Sequence, residues 1–171
     1  EKVEEELAAI QAICRQQMKR NTADLERELS EIVSEFKKGV KEKIAKEDYE
    51  SHFNLGIAYL EQDLVDEAIE EFEIACRDKR RTVDCCSILS YCYRRKKDYK
   101  QALDWLDRAL ETVKKGSGQY FGLKYEMASL YEEMKEKKKA LALYSEIKKW
   151  NPKYRDTTDR IENLEKKSSK S

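Results

Sequence analysis

Cysteines are the most concentrated side chains in this 171-residue chain that could do chemistry. Four of the five fall in one stretch, at Cys76, Cys85, Cys86 and Cys92. Structural zinc sites usually have two pairs of ligands, each pair roughly two to four residues apart. The spacing here is different, and His52 is the only histidine. We therefore expect no metal and no cofactor, and we expect buried thiols that pack as small apolar residues.

Acid–base or nucleophilic catalysis has equally little support in the sequence. The carboxylate pairs Glu70–Glu71 and Glu132–Glu133 are adjacent in sequence, so their side chains diverge on a helix, and we expect them to be solvated. His52 is expected to be a packing side chain rather than a general base. No glycine-rich phosphate loop and no nucleophile motif occurs. The chain is predicted not to be an enzyme.

The elements that position these side chains form an internal repeat. Ala68 and Ala75 recur as Ala102 and Ala109, an offset of 34 residues. A period of this length indicates one helix–turn–helix unit per repeat, which is stable only when it stacks on neighbouring units. A third copy has an offset of 38, and the four additional residues, 117–120 or equivalently 116–119, are expected to lengthen a loop.

The three units share an order of large and small residues. The predicted units are 49–82, 83–116 and 121–154. The first carries His52, Leu55, Gly56, Tyr59, Ala68, Phe72 and Ala75, and the second carries Cys86, Leu89, Ser90, Tyr93, Ala102, Leu106 and Ala109. The third carries Lys124, Met127, Ala128, Tyr131, Ala140, Tyr144 and Ile147, with Pro152 near its end. Small residues let two helices approach closely, and the tyrosines are expected to fill the space between units.

This order resembles the tetratricopeptide repeat family, and it is similar to segments of multi-repeat bacterial members of that family. The resemblance departs at the usual tryptophan position, where His52, Cys86 and Lys124 stand. It implies an all-α fold, an α-solenoid of stacked antiparallel helix pairs that wind into a right-handed superhelix. One proline, five glycines and no strand-like alternation favour the same fold class independently.

The segments that flank the repeats also predict helices. Residues 1–46 are predicted to form a helical hairpin. This hairpin is either a degenerate half-repeat that stacks on the units or part of a dimeric coiled coil. In the half-repeat alternative, Ile32, Phe36 and Gly39 repeat the spacing of Ala68, Phe72 and Ala75. Residues 155–167 predict a capping helix that begins at Thr157, with Ile161 and Leu164 turned inward. Residues 168–171 predict a disordered tail.

Net charge is zero but unevenly distributed along the chain. Residues 1–82 carry 14 Lys and Arg against 21 Asp and Glu, and residues 83–171 carry 21 against 14. The asymmetry could steer an oppositely polarised partner. No aromatic–basic binding motif accompanies the basic residues, so nucleic acid is not expected. No apolar run is long enough to span a membrane, and the odd cysteine count favours a reducing, cytoplasmic location.

The resemblance further implies that the first helices of successive units line a concave groove. Its predicted lining is Phe53, Ile57, Leu60, Ser87, Tyr91, Arg94, Arg95, Tyr125, Ser129 and Glu132. Apolar side chains in a concavity are typical of a binding surface, and the two arginines could pair with a carboxylate. We expect a protein or peptide partner with an apolar anchor and an acidic flank. The alternative is that the first N-terminal helix or a neighbouring chain fills the groove, with Phe53 and Ile57 in the core.

One subclass of the family binds chaperone C-terminal tails with Lys, Asn, Asn, Lys and Arg at set groove positions. This chain has Phe53, Ile57, Ile88, Gly122 and Glu126 there. No cation or amide is available at these positions, so a carboxylate clamp is not expected. The predicted function is a protein–protein interaction scaffold. The alternative is a self-assembling structural segment of a larger repeat protein that dimerises through its N-terminal helices.

Overall fold

A computed structural model of the chain describes residues 22–28, 30–31, 34, 38–39 and 48–166. The chain divides into two compact units, Glu1–Ala45 and Lys46–Ser171. In the first unit every described residue is helical, as the sequence predicts for this part of the chain. The choice between a half-repeat and a coiled coil rests on residues outside the described ones, among them Ile32 and Phe36. The predicted tail, 168–171, also lies outside them.

Seven helices span residues 49–166 of the second unit. They are α1 (Tyr49–Glu61), α2 (Val65–Ala75), α3 (Thr82–Arg95), α4 (Tyr99–Thr112), α5 (Gly118–Glu133), α6 (Lys137–Trp150) and α7 (Thr157–Lys166). Each helix packs mainly on the helices before and after it, and the pairs α1–α2, α3–α4 and α5–α6 pack most extensively. No strand occurs among residues 48–166. The division into units 49–82, 83–116 and 121–154 stays a prediction.

The turn inside each of the three helix pairs has the same geometry. Asp63, Lys97 and Lys135 all have φ near +60°, in the left-handed region. In the first turn, Leu64 N–H donates to the Tyr59 carbonyl, and Asp63 N–H donates to the Leu60 carbonyl. These are the two bonds of a Schellman motif, and the second and third turns repeat them at offsets of 34 and 38 residues. The repeat is therefore present in the backbone as well as in the side chains.

Small residues set the distance between the helices of a pair. Gly56 on α1 faces Phe72 on α2, and a Cβ atom at Gly56 would lie 2.9 Å from the ring carbons of Phe72. Ser90 and Ala128 are buried at the matching positions of α3 and α5. The core formed around them is a seam that follows the chain rather than a single centre, as expected for a solenoid.

A buried polar pair joins α1 to α2 in the first helix pair. His52 is 5% exposed and Glu71 is 2% exposed, and His52 Nδ1 lies 2.5 Å from Glu71 Oε2. The prediction that Glu71 would be solvated is therefore wrong. Glu71 and Glu70 do diverge on the helix, but the divergence turns Glu71 into the core, where His52 meets its carboxylate.

The third pair differs from the sequence expectation at its start. The composition of residues 117–120 predicts a longer loop, but α5 begins at Gly118 and runs for 16 residues. Ser117 accepts a hydrogen bond from Tyr120 N–H and caps this additional turn, so the insertion lengthens the helix. At the far end, Ile161 and Leu164 are buried, which confirms the predicted inward face of α7.

Candidate binding groove

The first helices of the three pairs line an open cleft of about 340 Å³. Its lining is mostly apolar and comes from α1, α3 and α5: Leu60, Ser87, Ile88, Ser90, Tyr91, Arg94, Glu126 and Leu130. Tyr91 is 52% exposed and is one of the exposed large hydrophobic side chains of the described residues. We call these eight residues the apolar cleft. Four of the ten predicted groove residues meet in it: Leu60, Ser87, Tyr91 and Arg94.

A second, polar cleft of about 480 Å³ lies next to the first and shares Arg94 with it. Its lining is Arg94, Ser129, Glu132, Glu133, Lys135 and Arg160. Arg160 reaches into this cleft from α7, where its Nη1 lies 2.9 Å from Glu132 Oε2. Three predicted groove residues, Arg94, Ser129 and Glu132, meet here. The predicted groove is thus two adjoining clefts of different polarity.

Phe53 and Ile57 line neither of these clefts. Both are half-buried and pack against the core between the first two helix pairs. The ring of Phe53 meets Phe72 edge-on at 5.6 Å between centroids, and the guanidinium of Arg81 lies 4.6 Å from its centroid. Arg81 in turn bonds Glu50 at 2.5 Å. The Phe53 ring is therefore already in contact with two other side chains of the chain itself.

The two groove arginines are paired with carboxylates of their own chain. Arg94 Nε donates to Glu133 Oε1 at 2.9 Å, and its Nη2 lies 3.3 Å from Ser129 Oγ. Arg95 pairs with Asp63 in the turn of the first helix pair, and its guanidinium lies 5.9 Å from the Tyr91 ring. A carboxylate of a partner would have to compete with both internal acids.

Tyr125 is buried, not exposed in a groove. Its hydroxyl donates to Asp156, and its ring packs against Tyr144 and Tyr154 with Arg155 above it. Burial raises the pKa of the Tyr125 hydroxyl, and the bond to Asp156 raises it further. Tyr125 thus belongs to the packing between the third helix pair and α7.

Glu126 is a feature of the apolar cleft that the groove prediction missed. The sequence marks this position only as one that lacks the cation of a carboxylate clamp. Burial raises the pKa of this carboxyl, and the charges of Arg155 and Arg94 act against that rise without abolishing it. Glu126 therefore offers a hydrogen-bond acceptor inside a largely apolar concavity.

Ile88, Ser90 and Leu130 are absent from the predicted lining as well, because the helical period alone does not resolve which side chains flank a cleft. Within the described residues, no cluster of His, Cys, Asp and Glu has the geometry to hold a metal ion. Among the helices described, none is both long and apolar enough to cross a membrane.

Comparisons with known proteins agree with the repeat interpretation. A sequence model of the tetratricopeptide repeat matches residues 83–112 and 122–154. A search of curated protein sequences finds no match.

Solved structures share the fold at low sequence identity. MamA aligns with a TM-score of 0.63 and 21% identity, over 78% of this chain and 75% of MamA. The first repeat domain of Spaghetti (RPAP3), in a structure with an HSP90 peptide, aligns with a TM-score of 0.59 and 13% identity, over 74% and 97% of the two chains. A tetratricopeptide repeat protein of Parabacteroides merdae aligns with a TM-score of 0.60 and 23% identity, over 68% and 45%. The predicted all-α solenoid fold is confirmed.

Proposed function

We propose that this chain, a tetratricopeptide repeat protein, binds a peptide or partner helix through the apolar cleft on its first helices. The tetratricopeptide fold is in general a scaffold for protein–protein interaction. The observation that carries the proposal is the exposure of Tyr91 at the edge of a concave, mostly apolar surface. Large exposed aromatic side chains in concavities are frequent binding hot spots.

Shape and charge together define the partner that fits. Leu60, Ile88 and Leu130 give the cleft apolar walls, so the anchor is an apolar side chain. The predicted acidic flank would face Arg94 and Arg95, whose guanidinium groups are occupied by Glu133 and Asp63. Glu126 lacks such an ion pair in the described structure and favours a donor. The partner is therefore an apolar anchor beside a cation or an amide.

A chaperone-tail clamp remains outside this proposal. Spaghetti shares the fold and its structure holds an HSP90 peptide, but at 13% identity the likeness extends to the fold alone. Here Ile88 and Glu126 stand at clamp positions and both line the apolar cleft. An apolar side chain and a carboxylate disfavour the terminal carboxylate that such a clamp would bind. We also propose that the chain performs no catalysis of its own.

Selection from a random peptide display library tests the proposal, because it requires no identified partner. Selected peptides are synthesised and their dissociation constants measured by fluorescence anisotropy. Tyr91→Ala should weaken binding by roughly tenfold or more, because it removes the exposed aromatic contact at the edge of the cleft. Tyr91→Phe, which keeps the ring, should bind nearly as well as the wild type.

Two further variants separate the cleft from the rest of the surface. Glu126→Gln should weaken peptides with a basic residue beside the anchor, whereas Glu111→Ala, on an exposed site of α4, should change nothing. Selected peptides that share an acidic flank would favour the arginine-based expectation instead. Binding that Tyr91→Ala leaves unchanged for every selected peptide would refute the proposal.

A further inference from the structure

Three thiols come together where α2 ends and α3 begins, outside the clefts described above. Cys76 is the C-cap residue of α2 and is partly exposed, whereas Cys85 and Cys86 are buried in the first turns of α3. The sulfur of Cys76 lies 3.6 Å from the sulfur of Cys86 and 3.9 Å from the Thr82 carbonyl oxygen. One solvent-accessible thiol thus touches one buried thiol across two neighbouring helix pairs.

The surroundings shift the pKa values of these thiols in different directions. The hydrogen bond from the Cys86 thiol lowers the pKa of Cys76 to about 7, and the positive charge of Arg108 acts in the same direction against the effect of burial. Burial raises the pKa of Cys85 to about 12 and that of Cys92 to about 11. The pKa of Cys86 is also raised, first by its bond to Cys76 and then by burial. Among the four described cysteines, Cys76 alone has its pKa lowered from the ordinary thiol value, the shift that favours a reactive thiol.

We propose that Cys76 and Cys86 form a dithiol that peroxide oxidises to an intramolecular disulfide. Cys76 is the thiol that reacts with peroxide, and Cys86 then reacts with the oxidised Cys76 to form the disulfide. The inference rests on their contact and on the partial exposure of Cys76. It is independent of peptide binding in the apolar cleft.

The reaction balances with hydrogen peroxide as the oxidant. The Cys76 sulfur attacks one peroxide oxygen, the O–O bond breaks, and the leaving hydroxide takes a proton to become water, which leaves Cys76 as a sulfenic acid. The Cys86 sulfur then attacks the Cys76 sulfur. The S–S bond forms, the S–O bond breaks, and the hydroxide leaves with the Cys86 proton as a second water. The two sulfurs supply the two electrons that reduce the peroxide.

The geometry suits the second step. A disulfide bond is about 2.05 Å long, so the sulfurs must approach by roughly 1.5 Å from their present contact. Cys76 lies at the C-terminal end of α2, and the residues after it form a loop instead of continuing the helix. The new bond would link α2 to α3, and so the first helix pair to the second. Oxidation by peroxide would thus join the first and second helix pairs by a covalent bond.

Peptide mapping of the 171-residue chain tests the proposal, in a Cys14→Ser background that removes the remaining thiol. Trypsin cleaves at Arg77 and Arg81, between the two cysteines. After peroxide treatment, the intact chain should lose the mass of two hydrogen atoms. A non-reducing digest should contain the Cys76 peptide joined to peptide 82–94, which holds Cys85, Cys86 and Cys92, and fragmentation should place the link at Cys86. Reduction should separate the two peptides. Matched variants Cys85→Ala and Cys92→Ala should form the same link.

Two variants define the roles within the pair. Cys76→Ser should abolish the link and slow peroxide consumption to the background rate. Cys86→Ala should stop the reaction at a Cys76 sulfenic acid, which dimedone traps. In the wild type, the rate of alkylation of Cys76 by iodoacetamide should rise with pH and be half-maximal at about pH 7. This measurement requires no core substitution.

The contrary outcomes are equally specific. A link from Cys76 to Cys85 or Cys92, a disulfide between two chains, or oxidation to a sulfinic acid with no link would overturn the assignment of Cys86. An alkylation rate that is half-maximal at about pH 8.5, the ordinary thiol pKa, would overturn the assignment of Cys76 as the reactive thiol.

Discussion

At the scale of single residues, the contact between His52 and Glu71 is the least expected feature of the core. Burial of a carboxylate is unfavourable unless hydrogen bonds compensate for the loss of water. His52 Nδ1 supplies one such bond, while His52 Nε2 is buried without a protein partner. The histidine therefore fills the position of the usual packing aromatic and binds an acid at the same time.

Removal of His52 alone should be more harmful than removal of both members of the pair. We expect His52→Leu to lower the free energy of unfolding by about 3–5 kcal/mol, because Glu71 would be left buried without its partner. Glu71→Leu leaves only the imidazole unpaired and should cost about 1–3 kcal/mol. The double variant His52→Leu/Glu71→Leu should lose less than His52→Leu, since both groups become apolar. Urea denaturation of the four proteins gives the coupling energy, and strictly additive losses would contradict this account.

Gly56 provides a test of close helix packing. Gly56→Ala raises helix propensity by up to ~1 kcal/mol, but overpacking against a fully buried Phe72 ring costs about 1–3 kcal/mol. We expect a net loss of about 1 kcal/mol by urea denaturation. Gly118→Ala on α5 is the matched control, because nothing lies within 4 Å of its added methyl group. It should be neutral or stabilising, and equal effects at the two glycines would argue against the contact.

Sequence reasoning succeeds with residues whose surroundings the repeat period determines. Cys86 and Cys92 fall at positions that the pattern buries, and both are buried. It fails for Glu71, because the partner lies 19 residues away on another helix. The phase between two helices, which decides such contacts, is a property of packing and not of either segment alone.

At the scale of elements, the recurrent turn inside the helix pairs places non-glycine residues in the left-handed region. Lys97 has φ +61° and is exposed after α3. The Cβ atom makes this conformation unfavourable by about 1 kcal/mol or more, a strain that glycine avoids. Lys97→Gly should therefore raise the free energy of unfolding by about 0.5–1 kcal/mol, after the greater flexibility of glycine in the unfolded chain is counted.

Lys100→Gly is the control for that substitution. Lys100 is exposed within α4, so glycine there should lower stability by about 0.5–1 kcal/mol. Thermal and urea denaturation should show opposite signs for the two variants. A loss of stability in both would mean that the Lys97 side chain contributes more than its backbone strain costs.

The attachment of α7 should depend on pH. The hydroxyl of Tyr125 and then the guanidinium of Arg160 hold the pKa of Asp156 below its ordinary value. A carboxyl with a depressed folded pKa stabilises the fold above its unfolded pKa of about 3.9, and this stabilisation is lost as the pH falls through the folded value. Asp156→Asn should therefore be less stable than the wild type at neutral pH.

That difference should shrink as the solution is acidified below about pH 4, because the wild-type carboxyl is protonated there. Urea denaturation of both proteins across this range measures it. Arg27→Gln is a suitable control, since its ion pair with Glu31 is largely exposed and should contribute little. A stability difference that is independent of pH would show that the Asp156 charge is not what holds α7.

The succession of paired helices follows from the sequence pattern, whereas the start of α5 does not. Residues 117–120 include glycine and serine, which are typical of loops, but Ser117 is used as a helix cap. Composition alone does not distinguish a serine that breaks a helix from one that begins it.

At the scale of the whole second unit, the uneven charge is partly neutralised within the chain. Arg95 pairs with Asp63, and Lys96 pairs with Asp66, so basic residues at the end of α3 meet acidic ones in the first helix pair. Exposed pairs of this kind contribute little individually. They reduce the charge that remains available to steer a partner.

The groove illustrates how far the sequence predicts a binding site. Four of the ten residues that the family resemblance predicted line the apolar cleft, because they lie on the inward-facing side of the first helices. Phe53, Ile57 and Tyr125 have the same phase but pack against neighbouring side chains instead. Phe53 contacts Arg81 and Tyr125 contacts Tyr154, two residues whose positions the repeat pattern does not specify.

The most direct test of the central claim is a backbone amide NMR titration of the chain with a peptide selected from the display library. Our account predicts that the shift changes concentrate on α1, α3 and α5 around Leu60, Ser87 and Tyr91, and that Tyr91→Ala abolishes them at the same peptide concentration. Shift changes confined to the second helices, α2, α4 and α6, with binding unaffected by Tyr91→Ala, would contradict it.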